Sequence, residues 1–184
     1  MIILIDLILH KTRAYRHVLF NKLSMGSSVD KGILYQSTLV HIVLDAFRIS
    51  FSKGNRADGA SSSSIFSTFF SWMEVIGDAL LGNIIFITIL FLGVQFILKL
   101  SFNITRYREV LFTIVISSYF KLFLLTMMVW EFPSSVIFIV EMFVLSSNVV
   151  ALRVVLQFPK AHCFGVCFAA HAAKYLTGRW LLQT

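Results

Sequence analysis

"ALLGNIIFITILFLGVQFIL", residues 79–98, runs for 20 residues without a charge. At ~1.5 Å rise per residue, a helix of this length crosses a ~30 Å hydrocarbon layer. This stretch decides the fold class, because no helix of a small water-soluble domain needs so long an uncharged run. The surrounding chain agrees. Of its 184 residues, 58% are hydrophobic and 14% charged, and 19 are Phe. Soluble domains average about 45–50% apolar and about 25% charged residues. A soluble fold of this length could not hide so much apolar surface from water.

Further segments fall into place around the first span. "VLFTIVISSYFKLFLLTMMVW", 110–130, reads as a second span interrupted by Lys121, and "SSVIFIVEMFVLSSNVVAL", 134–152, as a third, interrupted by Glu141 and ended by Arg153. Pro133 stands where a new helix can start without losing a needed donor. Residues 65–78, with Trp72, Glu74 and Asp78, read as an interfacial lead-in, so the membrane bundle covers 65–156. "ILYQSTLVHIVLDAFRIS", 33–50, is a weak span, because it carries His41, Asp45 and Arg48. His41 and Asp45 lie one helical turn apart, a spacing that suits a local hydrogen bond. The Gly- and Ser-rich stretch 52–64 is a polar linker. The tail, 160–184, holds an apolar helix of about 16 residues, short of the roughly 20 a span needs, and reads as partly inserted.

The first 23 residues have a different character. "KTRAYRHVLFN", 11–21, packs bases behind the apolar opening. A signal peptide has bases first and apolar residues second, the reverse of this order. At 100° per residue, Asp6, His10, Arg13 and His17 share one stripe, and Leu4, Ile8, Tyr15, Val18 and Leu19 lie opposite. Residues 1–23 therefore read as an amphipathic interfacial helix with a basic polar face. The formal charge of +7 could serve nucleic acid or anionic lipid, but the bases lie between oily runs, which points to a lipid surface and not to nucleic acid. The fold expected is an all-α, polytopic membrane helical bundle of three to five membrane helices, preceded by that interfacial helix. Threading 33–50, 79–98, 110–130 and 134–152 back and forth puts the basic segments 11–22, 99–108 and 153–160 on one face, as the positive-inside rule asks. The 52–64 linker, with Lys53 and Arg56, is the discordant piece. The sequon Asn103-Ile104-Thr105 then faces the cytosol and stays unmodified.

Charges at mid-span are the features with chemical content. An uncompensated basic residue at that depth costs roughly 2.5–3.5 kcal/mol on insertion scales. Reflecting Lys121 through the 131–134 turn brings it within a turn of Glu141, so the spacing suggests a Lys121–Glu141 pair, or contact from Lys121 to Ser146, Ser147 or Asn148. Such a pair serves either as a structural lock on register or as a site for a polar lipid headgroup. Gly165, Ala169 and Ala173 form a small-residue stripe suited to close helix packing. Cys163, Cys167 and His171 recur every fourth residue, but a fourth ligand is missing, and they read as packing residues with no metal. Two cysteines make no disulfide framework. No catalytic signature or carboxylate dyad is present, so the sequence favours neither an enzyme nor a bound cofactor.

Three blocks together resemble the Arv family, the ACAT-related proteins required for viability. "IILIDLILHKTRAYRHVLFN", 2–21, resembles the second half of the Arv homology region through Ala14, Tyr15, Arg16, His17, Leu19, Phe20 and Asn21. "SSYFKLFLLTMMVWE", 117–131, resembles the family's S-Y-x-K and W-E elements through Ser118, Tyr119, Lys121, Trp130 and Glu131. "FVLSSNVVALRV", 143–154, resembles a further element through Asn148, Ala151 and Arg153. The wording is closest to plant members. The family carries a zinc-type C-x-x-C pair before "IILI" that this sequence lacks, so an N-terminally shortened form without zinc is expected.

The resemblance implies a multi-pass protein of the endoplasmic reticulum membrane that mediates sterol trafficking and affects sphingolipid homeostasis. The alternative is a non-transporting scaffold for lipid or glycosylphosphatidylinositol-precursor assembly. Its expected partners are membrane lipids (sterol, sphingolipid and anionic headgroups) and other membrane proteins. The residues expected to meet headgroups, or to form structural polar contacts, are Tyr15, Arg16, His17, Asn21, Lys121, Glu141, Ser147, Asn148 and Arg153.

Overall fold

The computed structural model describes Asp6 and residues 9–22, 31–54, 65–97, 104–122 and 135–181. These residues form helices and no strand. In chain order the helices are α1 (Thr12–Arg16), α2 (Lys31–Gly54), α3 (Ile65–Ile97), α4 (Ile104–Ser117), α5 (Ser135–Leu156) and α6 (Lys160–Leu181). A π-helical turn, His17–Lys22, extends α1, and a 3-10 turn, Ser118–Leu122, extends α4.

Two helical stretches, Trp72–Phe96 in α3 and Ser135–Leu156 in α5, are long and apolar enough to cross a membrane. The interfacial lead-in expected over 65–78 is not a separate piece, because α3 runs unbroken for 33 residues. The weak span is a 24-residue helix, α2, which at ~1.5 Å per residue is longer than a ~30 Å hydrocarbon layer. The tail helix is 22 residues, longer than the 16 expected. The apolar count, which included Lys174, stopped at Leu176, before the last turn with Thr177, Gly178 and Arg179. The second expected span is described only as far as Leu122, and the linker lies outside the described residues beyond Gly54.

The segment expected as one helix over 1–23 is broken. His10 takes a left-handed φ of 55° and Lys11 is extended. The Lys11 backbone N–H donates to the Asp6 carbonyl at 3.0 Å, and its ammonium holds the Asp6 carboxylate at 2.7 Å. A left-handed residue cannot continue the ladder of a right-handed helix, so the helix that begins at Thr12 does not run back through residue 10, and the periodicity counted across it does not hold. Ala14, Tyr15 and Leu19 are buried, and α1 packs on α5. Arg13, Arg16 and His17 stay exposed.

In the bundle, α6 packs most extensively against α3. Close approach is possible because Gly93 faces Val166: a Cβ at Gly93 would lie 2.9 Å from Val166 Cγ1. The expected stripe is not the packing face. A Cβ at Gly165 would meet nothing within 4 Å, and Ala169 is exposed. The core contains Phe86, Leu90, Val94, Phe112, Leu152, Cys163, Val166, Cys167 and Ala170. The helix α5 closes at Gln157, whose φ is 58° and whose N–H donates to the Arg153 carbonyl at 2.8 Å. This is a left-handed C-terminal cap without the usual glycine.

The distribution of polarity is inverted relative to a water-soluble protein. Phe96 is 81% exposed and Ile84 64%, whereas Asp45, Asn148 and Ser147 are 0% exposed and Lys121 2%. An apolar exterior around a charged interior suits hydrocarbon as the surrounding medium, where charged groups turn toward the bundle interior.

Candidate functional site

A charged centre lies near mid-height of the bundle. Asn83 is near the midpoint of the α3 span Trp72–Phe96, and His41, Asp45, Glu141, Asn148, His171 and Lys174 occupy the middle portions of α2, α5 and α6. The focus is Asp45. Lys121 donates to its Oδ1 at 2.8 Å and Lys174 to its Oδ2 at 2.6 Å. Lys121 also donates to His41 Nε2 at 3.1 Å, which leaves the His41 Nδ1–H facing Asp45 Oδ2 at 3.5 Å. Lys174 donates as well to the Asn83 carbonyl oxygen at 2.9 Å, and the Asn83 amide donates to the Ala79 carbonyl at 3.0 Å. One carboxylate thereby ties α2 to the 3-10 turn and to α6.

A second array adjoins the first. Arg48 donates to Glu141 Oε1 at 3.0 Å. Ser117 donates to the Asn148 carbonyl oxygen at 2.5 Å, while the Ser118 hydroxyl donates to the Ile114 carbonyl at 2.8 Å. The Ser117 bond fixes the amide orientation, so the Asn148 NH₂ donates to His171 Nε2 at 3.1 Å. His171 then carries its proton on Nδ1, 3.8 Å from Glu141 Oε2. Ser147 donates to the Ser117 carbonyl at 2.6 Å, and its hydroxyl meets the Tyr15 hydroxyl at 2.7 Å. Burial raises the Tyr15 phenol above its ordinary pKa, so it remains a hydroxyl donor. Hydrogen bonds thus run from α1 into the bundle centre.

The expected pairing of Lys121 with Glu141 is corrected. Lys121 is held by Asp45 and His41, and Glu141 by Arg48. Reflection through the hairpin gave the right depth, but it considered only two helices, and α2 supplies a nearer partner to each charge. Of the residues expected to meet headgroups or form polar contacts, Tyr15, Lys121, Glu141, Ser147 and Asn148 converge here. Arg16, His17 and Asn21 lie exposed on the N-terminal segment, and Arg153 is in the last turn of α5. Asp45, Arg48, Asn83, His171 and Lys174 were missed as members. Their signal was present: Lys174 is the one Lys or Arg within the apolar stretch 161–176, and Asn83 is one of the few polar residues in the uncharged run. Cys163 and Cys167 are buried in the packing core, and His171 turns to Asn148 and Glu141.

Among the described residues the centre holds three cations, Lys121, Lys174 and Arg48, against two carboxylates, Asp45 and Glu141. With both histidines neutral, one positive charge is in excess. Each ammonium has three donors, of which Lys121 uses two on Asp45 and His41 and Lys174 two on Asp45 and Asn83. Among the described residues the buried Arg48 Nε has no hydrogen-bond partner.

Two grooves adjoin the centre, and both reach His41. One, of about 250 Å³, runs between α2 and the end of α4, past Ser37, Val40, Val115 and Tyr119. The other, of about 120 Å³, lies between α2, α3 and α4. Its lining includes the exposed Leu80 and Ile84 together with His41, Asn83 and Phe86.

Comparison with known proteins gives the chain its kin. The Arv1-like family model matches residues 1–152. Protein ARV 2 of Arabidopsis thaliana is 43% identical over 177 residues, covering 96% of this chain and 74% of that protein. Protein ARV 1 of the same plant is 38% identical over 97% of this chain and 71% of its own length. The Dictyostelium discoideum protein named arv1 homolog is 33% identical over 85% of this chain and 66% of its length. No solved structure matches the chain. On the extent of the family match and of these identities, the chain belongs to the Arv1-like family.

Proposed function

We propose that this chain is a multi-pass protein of the endoplasmic reticulum membrane that mediates sterol distribution and thereby affects sphingolipid homeostasis. Membership in the Arv1-like family points broadly to lipid and sterol homeostasis. The observation that carries the reading is the groove between α2, α3 and α4. Its lining is almost wholly apolar, it includes the exposed Leu80 and Ile84, and Thr38, His41 and Asn83 are among the side chains beside it. A sterol has the matching form, a rigid apolar body with one hydroxyl, and ligand sites in general pair apolar walls with a few placed polar groups. The work required is binding and release, for which no covalent chemistry is needed. The names of the relatives carry no enzymatic term.

Photoactivatable sterol in membranes containing the full chain tests this. Adducts are expected on α2 and α3 peptides bordering His41 and Asn83, and they should fall when Ile87→Trp fills the groove. Adducts spread evenly over the exterior, unaffected by Ile87→Trp, would refute it.

One observation favours a second reading, that of a scaffold. Gly165 has open space beside it and Ala169 is exposed, so this small-residue face is left for a helix of another protein. Disulfide or photo-crosslinks from residue 165 to a partner protein, with no sterol adducts, would favour the scaffold.

A further inference from the structure

The 3-10 turn Ser118–Leu122 is five residues long, longer than such turns commonly run, and a stretch of this winding within a helix often marks a hinge. Winding decides where its side chains point. Per residue an α-helix turns ~100° and a 3-10 helix ~120°. Ser117, the last residue of α4, faces α5, where its hydroxyl meets Asn148 and its carbonyl accepts from Ser147. In 3-10 winding a side chain eclipses the one three residues before it. Phe120 accordingly lies over Ser117 and stacks on Phe143 of α5, with ring centroids 5.1 Å apart. Lys121 then points about 120° away from Ser117, to α2, where it meets Asp45 and His41. Continued α winding would leave Lys121 only about 40° from Ser117, on the side of α5 and Glu141. The winding of this short turn therefore selects the helix to which Lys121 is tied.

We propose that the N-terminal segment is a strap that holds this turn in its 3-10 winding, so that its release lets the turn rewind as α-helix and carries Lys121 from Asp45 toward α5. The contacts of the strap fall on the turn and on the residue before it. His10 stacks on Phe120, with ring centroids 5.8 Å apart and planes 9° from parallel, and on Phe143 at 6.3 Å. The Tyr15 hydroxyl meets the Ser147 hydroxyl at 2.7 Å, and Ser147 donates to the Ser117 carbonyl at 2.6 Å. Because Ser147 gives its one proton to Ser117, Tyr15 is the donor between the two hydroxyls. In an α-helix the Ser117 carbonyl would accept from the Lys121 N–H, so Ser147 engages the acceptor on which α winding at Lys121 depends. Arg13, Arg16 and His17 stay exposed on the same segment. A ligand that pulls on them acts on Lys121 through one hydroxyl pair and one ring stack. The device also reaches the larger groove, whose wall includes Ser118, Tyr119 and Leu122 of the turn. It is independent of the sterol reading, because it concerns the pose of Lys121 whatever either groove holds.

Nitroxide labels at Val40→Cys and Leu122→Cys report the winding, in the full chain carrying Cys163→Ala and Cys167→Ala and reconstituted in phosphatidylcholine vesicles. Both positions are exposed and line the same groove. Rewinding turns residue 122 by about 100°, a swing of roughly 8 Å at the helix surface. With the strap intact, one short label-to-label distance is expected to dominate. Tyr15→Phe removes only the donor to Ser147, and should raise the share of a second, displaced distance about two- to tenfold, the shift that loss of one hydrogen bond gives. Adding His10→Ala should raise that share further. Arg16→Gln, at an exposed position on the same segment, should leave the distances as they were. A segment that merely adds stability would lower Tm in the strap variants without moving the labels. An unchanged distance distribution in folded Tyr15→Phe would overturn the proposal, as would a second distance that Arg16→Gln produces equally. Where the double variant does not fold, Tyr15→Phe alone decides, since it removes one oxygen atom and no packing.

Discussion

Replacing Asp45 by Asn should destabilise the bundle severely. Asp45 is 0% exposed and accepts from Lys121 at 2.8 Å and Lys174 at 2.6 Å. The amide keeps the shape and one acceptor oxygen but removes the charge. Two ammonium groups then remain buried with Glu141, already held by Arg48, as the only carboxylate counted in the centre. Removing one partner of a buried ion pair costs about 3–5 kcal/mol. Loss of a neutral hydrogen bond between membrane helices costs only about 0.6 kcal/mol on average, so the charge term dominates. For proteins of this size 1 kcal/mol corresponds to roughly 2–4 °C in Tm, which gives a loss of roughly 6–20 °C. Thermal denaturation in mild detergent, followed by circular dichroism and by the fraction eluting as a single species, reads this directly. Adding Lys121→Met to Asp45→Asn removes one stranded cation and should recover part of the loss. A Tm for Asp45→Asn within about 2 °C of the wild type, or a double variant as unstable as the sum of the singles, would refute the central role of Asp45.

Other substitutions test the packing. Gly93→Ala sets a Cβ 2.9 Å from a β-branched side chain that has little room to yield, and should cost about 1–3 kcal/mol by overpacking. Gly165→Ala, with nothing within 4 Å, should be neutral, and Val166→Ala should partly rescue Gly93→Ala in the same thermal assay. Tyr15→Phe removes the hydroxyl bonded to Ser147 and should cost about 0.5–1.5 kcal/mol. It should also raise the rate at which protease cuts the exposed N-terminal segment, while Arg16→Gln, at an exposed position, should leave that rate unchanged. Gln157→Gly relieves a left-handed φ of 58° and should raise stability by up to about 1 kcal/mol, whereas Gln157→Val should lower it by more.

The fold was legible where one physical effect dominated. The uncharged run 79–98 and the stretch 134–152 identified α3 and α5, because apolar length alone decides whether a helix can cross hydrocarbon. The length of α6 and the inward role of α2 were harder to read, because polar residues interrupt both. Such residues lower apolar counts yet are admissible when they face a bundle interior. The break at His10 was hidden, since periodicity assumes a continuous axis and takes no account of φ. For the site, the sequence disclosed depth and not azimuth. Lys121, Glu141, Ser147 and Asn148 were recognised as polar residues at span level. That Lys121 turns to Asp45 rather than Glu141 depends on which helix α4 meets, a matter of three-dimensional packing that no spacing along the chain encodes. The small-residue stripe failed for the related reason that Gly93, on the facing helix, makes the close approach.

A single-cysteine scan in a Cys163→Ala/Cys167→Ala background tests most directly whether hydrocarbon surrounds this bundle. Ile84, Met142 and Phe168 are 64%, 50% and 54% exposed, and they lie near mid-height of α3, α5 and α6. In intact membranes, cysteines at these three positions should resist a membrane-impermeant maleimide and label fully once the protein is denatured, while a cysteine replacing the exposed Arg13 labels at once. Rapid labelling at 84, 142 and 168 in the intact membrane, at the rate of the Arg13 control, would show that water covers this surface and would contradict a charged centre enclosed in a lipid-embedded bundle.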